Sequence, residues 1–181
     1  MVIFDWEKSV IATARTWPTQ GFVFDFFKFW TDYKQSRWVL LVLVLFFIYK
    51  LGFKKIIKPF LLTLTAVLIA DFISRRFFKV FFMRPRPNFV DMACDTSPCW
   101  GFVSSHSANI AAAAIFLILY NKKNRYWALP CAVFVGFSRI YLLDHFPLDV
   151  IGGFCLGALV GASVFLISKK IDNKPSKVNT I

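Results

Sequence analysis

An all-α fold, a polytopic bundle of transmembrane helices, is what this sequence predicts, and three observations carry that expectation. Hydrophobic residues make up 57% of the 181-residue chain and aromatic residues 19%, with 23 Phe. Only 18% of residues are charged, against roughly 25% in soluble domains. Long apolar stretches also alternate with short loops rich in Lys and Arg. One domain of this length cannot hide so much apolar surface in a core surrounded by water, so lipid is expected around it.

The formal net charge of +12 does not point to nucleic acid. Its Lys and Arg lie in clusters between apolar runs, where membrane topology places them, and not as a basic stripe interleaved with aromatics on a polar surface. The expected partners are a bilayer and a molecule dissolved in it.

Residues 1–36 form the first segment. Asp5, Glu7, Lys8 and Arg15 interrupt the first twenty residues, so they do not read as a cleavable signal peptide. Residues 3–33 are aromatic and amphipathic, which predicts a helix in the membrane interface with a break at Trp17–Pro18. An extra span here is disfavoured because Asp25 and Lys28 are costly at mid-membrane.

Residues 37–170 are expected to form the helical bundle, with about five spans. They are Trp38–Phe53, then Pro59–Ile73 continuing to Phe82, then Ser107–Tyr120, Tyr126–Leu143 and Leu148–Ser168. Several fall short of the ~20 residues a bilayer favours, and flanking Lys, Arg, Trp and Tyr would cover the shortfall. Three basic clusters set the orientation: Lys50, Lys54, Lys55 and Lys58; Lys122, Lys123 and Arg125; and Lys169, Lys170, Lys174 and Lys177. Five spans put all three on the cytoplasmic side, with residues 171–181 as a cytoplasmic tail. Residues 83–106 and the turn at His145 then face the opposite side.

Small residues mark the packing faces. Gly153, Gly157 and Gly161 recur every fourth position, and Ala108, Ala111, Ala112 and Ala114 give the third span a similar face. Cys131 and Cys155 lie in apolar spans and are expected to be buried and inert. Cys94 and Cys99 bracket a four-residue turn suited to a disulfide in an oxidising compartment.

Three polar clusters stand at the non-cytoplasmic helix ends: Lys79 with Arg84-Pro85-Arg86-Pro87, Val103-Ser104-Ser105-His106, and Ser138-Arg139 followed by His145 and Asp149. Lys79, Arg86 and Arg139 are cations in or beside the membrane, where an unpaired charge costs about 2.5–3.5 kcal/mol on insertion scales. Asp71, Arg75 and Lys79 follow at i, i+4 and i+8 and can pair along one helix face. The remaining positive excess points to an external anion, and Arg presents fork-shaped donors that match phosphate oxygens.

Both histidines of the chain lie in these clusters. His145 and Asp149 share a face at a helix start, where the carboxylate can fix the imidazole tautomer. His106 follows two serines at another helix start, where free backbone N–H groups bind anions. One histidine to attack phosphorus, one to protonate the leaving oxygen and a cationic cradle together suit phosphoryl transfer.

These clusters resemble the type 2 phosphatidic acid phosphatase superfamily, which also contains vanadium haloperoxidases. The family pattern K-x6-R-P is matched by Lys79 to Arg86-Pro87, and S-R-x5-H-x3-D by Ser138-Arg139 to His145 and Asp149. In the middle motif, P-S-G-H, Val103 replaces Pro and Ser105 replaces Gly, while Ser104 and His106 are retained. The resemblance implies that Lys79, Arg86, Ser104 and Arg139 bind phosphate. It also implies His106 as general acid, His145 as nucleophile and Asp149 as its orienting partner. Ser105 still offers a backbone N–H and stays among the substrate-binding positions. Arg84, outside the pattern, is expected to contact the headgroup. No metal or other cofactor is expected, because side-chain cations take the part magnesium plays elsewhere.

The chain is similar to small bacterial lipid phosphatases, lipid A 1-phosphatases among them. The small size and the positions of the basic loops favour a bacterial inner-membrane protein with its site facing the periplasm. Candidate substrates are undecaprenyl pyrophosphate, phosphatidylglycerol phosphate, phosphatidate and the phosphates of lipid A. A lipid phosphotransferase using the same site, or a non-catalytic anion-binding membrane protein, are the rival functions.

Overall fold

The computed structural model describes residues 2–31, 52–89 and 96–173, with positions 41, 42, 45, 46 and 49 between them. Most of the expected span Trp38–Phe53, the tail from 174 onward, and Cys94 lie outside the described residues.

Every regular element among the described residues is helical, apart from one isolated bridge between Pro85 and Trp100. The main helices are α1 (Asp5–Ala14), α2 (Phe22–Thr31), α3 (Phe53–Phe82), α4 (Ser105–Tyr120), α5 (Arg125–Tyr141) and α6 (Pro147–Asp172). Of these, α3 and α6 are long and apolar enough to cross a membrane. At ~1.5 Å per residue they extend about 45 and 39 Å, more than the ~30 Å hydrocarbon core. Helices α4 and α5 coincide with two expected spans but have 16 and 17 residues, so length alone does not make them spans.

Packing follows the logic of lipid rather than water. Large apolar side chains such as Phe72, Phe81, Leu159 and Leu166 are exposed, while Ala66, Ala70, Ala108 and Ala112 are fully buried. The central seam joins α4 to α6. A Cβ added at Gly157 would stand 2.1 Å from the carbonyl oxygen of Ala108, and at Gly161 2.4 Å from that of Ala112. Only glycine lets the two backbones approach this closely. The lower half of α3 closes the same core through Ala66 and Ala70, with Phe116 buried between.

Helix α3 is not uniform. Residues Ser74–Phe78 wind as a π-helix, so the Lys79 N–H donates to the Ser74 carbonyl. The expected ladder of Asp71, Arg75 and Lys79 therefore stops early: Arg75 Nε meets Asp71 Oδ1 at 2.9 Å. The extra residue in the turn rotates Lys79 out of that row, and it makes no ion pair among the described residues. Met83 (φ 44°) then ends the helix in the left-handed region.

The N-terminal segment breaks at residues 15–21, as the Trp17–Pro18 pair predicts. Helix α2 lies on α5 through aromatic rings, with Phe27 stacked 5.1 Å from Phe134 and tilted against Tyr141 at 4.9 Å. Helix α1 does more than lie at an interface: it buries Glu7, Ile11 and Ala14 against the bundle. Two expectations about cysteine meet the structure differently. Cys99 is disulfide-bonded. Cys131 and Cys155, expected to be buried, are free thiols exposed on the apolar outer surface, because the small residues Ala128, Ala132, Gly153 and Gly157 take the inward faces of their helices.

Candidate active site

The polar clusters meet at one end of the bundle, where α3 and α5 finish and α4 and α6 begin. The junction is stitched by backbone. Ser104 N–H donates to the Asp149 carbonyl at 2.9 Å, tying the start of α4 to the start of α6. Arg86 N–H donates to Cys99 O at 3.0 Å and Gly101 N–H to Arg84 O at 2.7 Å, pairing the 84–86 segment with 99–101. After α5, the N–H groups of Asp144 and His145 both donate to Arg139 O, at 2.9 and 3.2 Å. Leu143 (φ 57°) makes that tight turn possible and sets His145 beside Arg139.

His145 is 1% exposed and Asp149 0%. Asp149 Oδ2 lies 3.5 Å from His145 Nδ1, long for a hydrogen bond, and accepts one from Phe146 N–H at 3.0 Å. Burial pushes the His145 imidazole below its ordinary range; Arg86 and Lys79 push the same way and Asp149 opposes them. A neutral ring with an available lone pair is the form a nucleophile needs. With Nδ1 facing Asp149, Nε2 is the nitrogen that Asp149 leaves uncommitted.

Around it stand the other expected residues. Lys79 and Arg139 are buried. Arg139 Nη1 holds Asp144 Oδ2 at 3.0 Å, an acid that the motif reading passed over. Arg86 reaches the Trp100 carbonyl through Nε at 3.3 Å. Burial lowers its pKa, Arg75 adds to that, and Asp144 and Asp149 act against it; a guanidinium stays charged regardless. Ser104 caps α4, accepting from Ser107 N–H at 3.4 Å and Ser107 Oγ at 3.0 Å, which leaves its own hydroxyl proton to donate. His106, in the first turn of α4, is exposed.

The two departures in the middle motif have structural counterparts. The Ser105 hydroxyl accepts a bond from Ser74 Oγ of the π segment at 2.8 Å. That engages the hydroxyl with the π segment, while the Ser105 backbone N–H stands in the first turn of α4. Val103 is buried and faces Gly152, where an added Cβ would come within 3.0 Å of it.

Arg84 stands apart from its expected place at a headgroup. It is 0% exposed, with Nη1 on Asp149 Oδ1 and Nη2 on Glu7 Oε2 and its guanidinium carbon 4.9 Å from the Phe146 ring centre. Two carboxylates inside the protein hold it, because a buried guanidinium without counter-charge is costly. Glu7 was visible in the sequence only as a charge interrupting the first helix. Its signal was an acid in an aromatic stretch of a chain with excess cations. Gly101 also escaped notice: a Cβ there would lie 2.7 Å from Asp149 Oδ2.

Comparisons with known proteins agree on the lineage. Residues 59–172 match the model of the PAP2 superfamily. Lipid A 4'-phosphatase of Porphyromonas gingivalis is 32% identical over 146 residues, 73% of this chain and 62% of that protein. Phosphatidylglycerophosphatase B of Bacillus subtilis is 36% identical over 58% of this chain and 54% of its own length. Undecaprenyl-diphosphatase BcrC of the same organism is 26% identical over 55% and 53%. The chain thus spans between about half and three-fifths of these relatives. The crystal structure of a transmembrane PAP2-type phosphatidylglycerolphosphate phosphatase from Bacillus subtilis superposes with a TM-score of 0.70 at 24% identity, covering 94% of this chain and 88% of that one. With the matched region containing every motif residue from Lys79 to Asp149, this chain belongs to the PAP2 superfamily.

Proposed function

We propose that the protein is an integral membrane lipid phosphatase that works through a phosphohistidine formed on His145, without a metal. The observation that carries this reading is a buried His145 facing Asp149 at the bundle end where Lys79, Arg86, Arg139 and Ser104 gather. Three cations and the N-terminus of α4 neutralise a phosphate's equatorial oxygens. His145 Nε2 attacks phosphorus as the P–O bond to the lipid breaks, and His106 gives its proton to the departing oxygen. Desolvation and Arg139 push the His106 pKa down before phosphate binds, and the negative charge of the bound phosphate lets it carry that proton. Asp149 stabilises the ring, which becomes cationic as the N–P bond forms. His106, now neutral, takes a proton from water as that water attacks phosphorus. The N–P bond then breaks and inorganic phosphate leaves.

Arg84 is assigned to holding Asp149 rather than to a headgroup, since its two terminal nitrogens already meet carboxylates. The substrate phosphate sits at the interface with its tail in the bilayer, because the polar cluster caps helices whose outer surfaces are apolar. The relatives' names support envelope lipids: a lipid A phosphate, phosphatidylglycerol phosphate or undecaprenyl pyrophosphate, with phosphatidate added on chemical grounds. The positions of the basic loops support a site facing the periplasm of an inner membrane.

Phosphate release from a panel of these four lipids, with EDTA present, tests the reading. Wild-type protein in detergent is expected to release phosphate and His145→Ala to fall by about 10⁶, the loss seen when a nucleophile is removed. Equal release by both proteins would remove His145 from its role. Transfer of the phosphate to a second lipid instead of water would favour a phosphotransferase.

A further inference from the structure

Glu7 lies 142 positions before Asp149 in the chain, yet both carboxylates hold the same guanidinium. Glu7 is 0% exposed. Its Oε2 accepts from Arg84 Nη2 and from Phe4 N–H at 3.2 Å, and its Oε1 accepts from Leu148 N–H at 3.1 Å. Leu148 is the second residue of α6 and Asp149 the third. One carboxylate on α1 therefore grips both the arginine that holds Asp149 and the backbone turn that carries it. Asp149 is fixed from its other side by Phe146 N–H at 3.0 Å and covered by Gly101.

We infer that Glu7 is a positioning residue for the phosphatase reaction, so that α1, outside every motif of the family, forms part of the active-site apparatus. This inference rests on the reading of His145 and Asp149 given above. Glu7, Arg84 and Asp149 together carry a formal charge of −1, and Asp149 is the member that faces His145. Without Glu7 the cluster is neutral, Arg84 has Asp149 as its single partner, and the carboxylate is drawn away from the imidazole. The cationic ring of the phosphohistidine then loses stabilisation, while phosphate binding at the separate cradle is spared.

The remaining charges that face His145 are fixed by other elements. They are Lys79 from α3, His106 from α4, Arg86 from the 83–89 segment, and Arg139 with Asp144 at the end of α5. All of them stay in place when Glu7 is changed, so a shift in titration reports the Glu7 charge.

The test compares wild type, Glu7→Gln, Glu7→Asp and the double variant Glu7→Gln/Arg84→Gln on one lipid phosphate, measuring kcat, KM and the acid limb of kcat against pH. Using one substrate cancels the titration of its own phosphate. Glu7→Gln is expected to lower kcat roughly 10–100-fold, as loss of an outer-shell partner does elsewhere, with KM within about threefold. Its acid limb moves down by about one pH unit, because the net charge of the cluster that holds Asp149 has risen from −1 to zero. Glu7→Asp keeps the wild-type limb and recovers part of kcat. The double variant returns the limb towards wild type, because its charge is again −1.

A Glu7→Gln protein with wild-type kcat and limb but a lower Tm would reduce Glu7 to a structural contact and overturn the inference. If Glu7→Gln does not fold, the limbs of Glu7→Asp and of the double variant decide, and an unrestored limb in the double variant overturns it. Failure of the phosphatase reading is separately visible, since wild type itself would then release no phosphate and the inference would fall with it.

Discussion

The two ends of the contact between α4 and α6 solve opposite problems. Along the seam, Gly153, Gly157 and Gly161 meet Ser104, Ala108 and Ala112 with no polar side chain between Gly157 and Gly161. At the helix starts, Ser104, His145 and Asp149 are buried with Glu7 and Arg84. The seam needs only shape, because in lipid there is no hydrophobic force between helices and close packing holds them. The charged end needs compensation, because a buried ion without a partner is costly. The lesson is that the dry seam fixes where the helix starts lie, and a network reaching back to α1 fixes what their side chains do.

Changes at the two places should separate accordingly. Asp149→Asn is expected to cost about 10⁴ in turnover, by analogy with loss of an orienting aspartate in a protease triad, while the protein still elutes as folded. A near-normal rate in phosphate release would make Asp149 structural only. Gly157→Val should do the reverse. Its Cβ would lie 2.1 Å from a backbone oxygen, and overpacking of this kind costs ~1–3 kcal/mol or more, read as a lower Tm in detergent. An unchanged Tm would mean the seam opens without penalty.

Gly101→Ala sits between the two cases, with a Cβ 2.7 Å from Asp149 Oδ2. It is expected to lower kcat about tenfold, equivalent to ~1.4 kcal/mol, with little change in Tm; the reverse pattern would show that Gly101 serves the loop alone. The smallest effect is on pH. Burial lowers the His145 pKa, so protonation removes the attacking lone pair only at lower pH. The acid-side midpoint of kcat should lie below ~6.5, the ordinary histidine value, and a midpoint above it would contradict a dry site.

Much of the seam and of the polar helix ends was legible in the sequence, since each depends on local spacing. Glycines every fourth residue announce a close helix face, and the four-residue spacing of His145 and Asp149 announces their closeness, although α6 begins at Pro147 and His145 stands in the turn before it. The break at Trp17–Pro18 follows from proline alone. What escaped depends on partners distant along the chain. Glu7 reaches Arg84 across 77 positions and Leu148 across 141, and no periodicity records such pairs. The π segment at Ser74–Phe78 escaped because a regular i, i+4 reading of Asp71, Arg75 and Lys79 hides an inserted residue. The outward thiols of Cys131 and Cys155 escaped because in lipid the small residues, not the apolar ones, face inward.

The most direct test of the central proposal is to trap the covalent intermediate. Protein incubated with a lipid carrying a radiolabelled phosphate would be quenched in alkali, digested and mapped. The expected result is an alkali-stable, acid-labile label on the peptide containing His145, absent from His145→Ala. Rapid phosphate release with no label at His145, or with the label on His106, would contradict it.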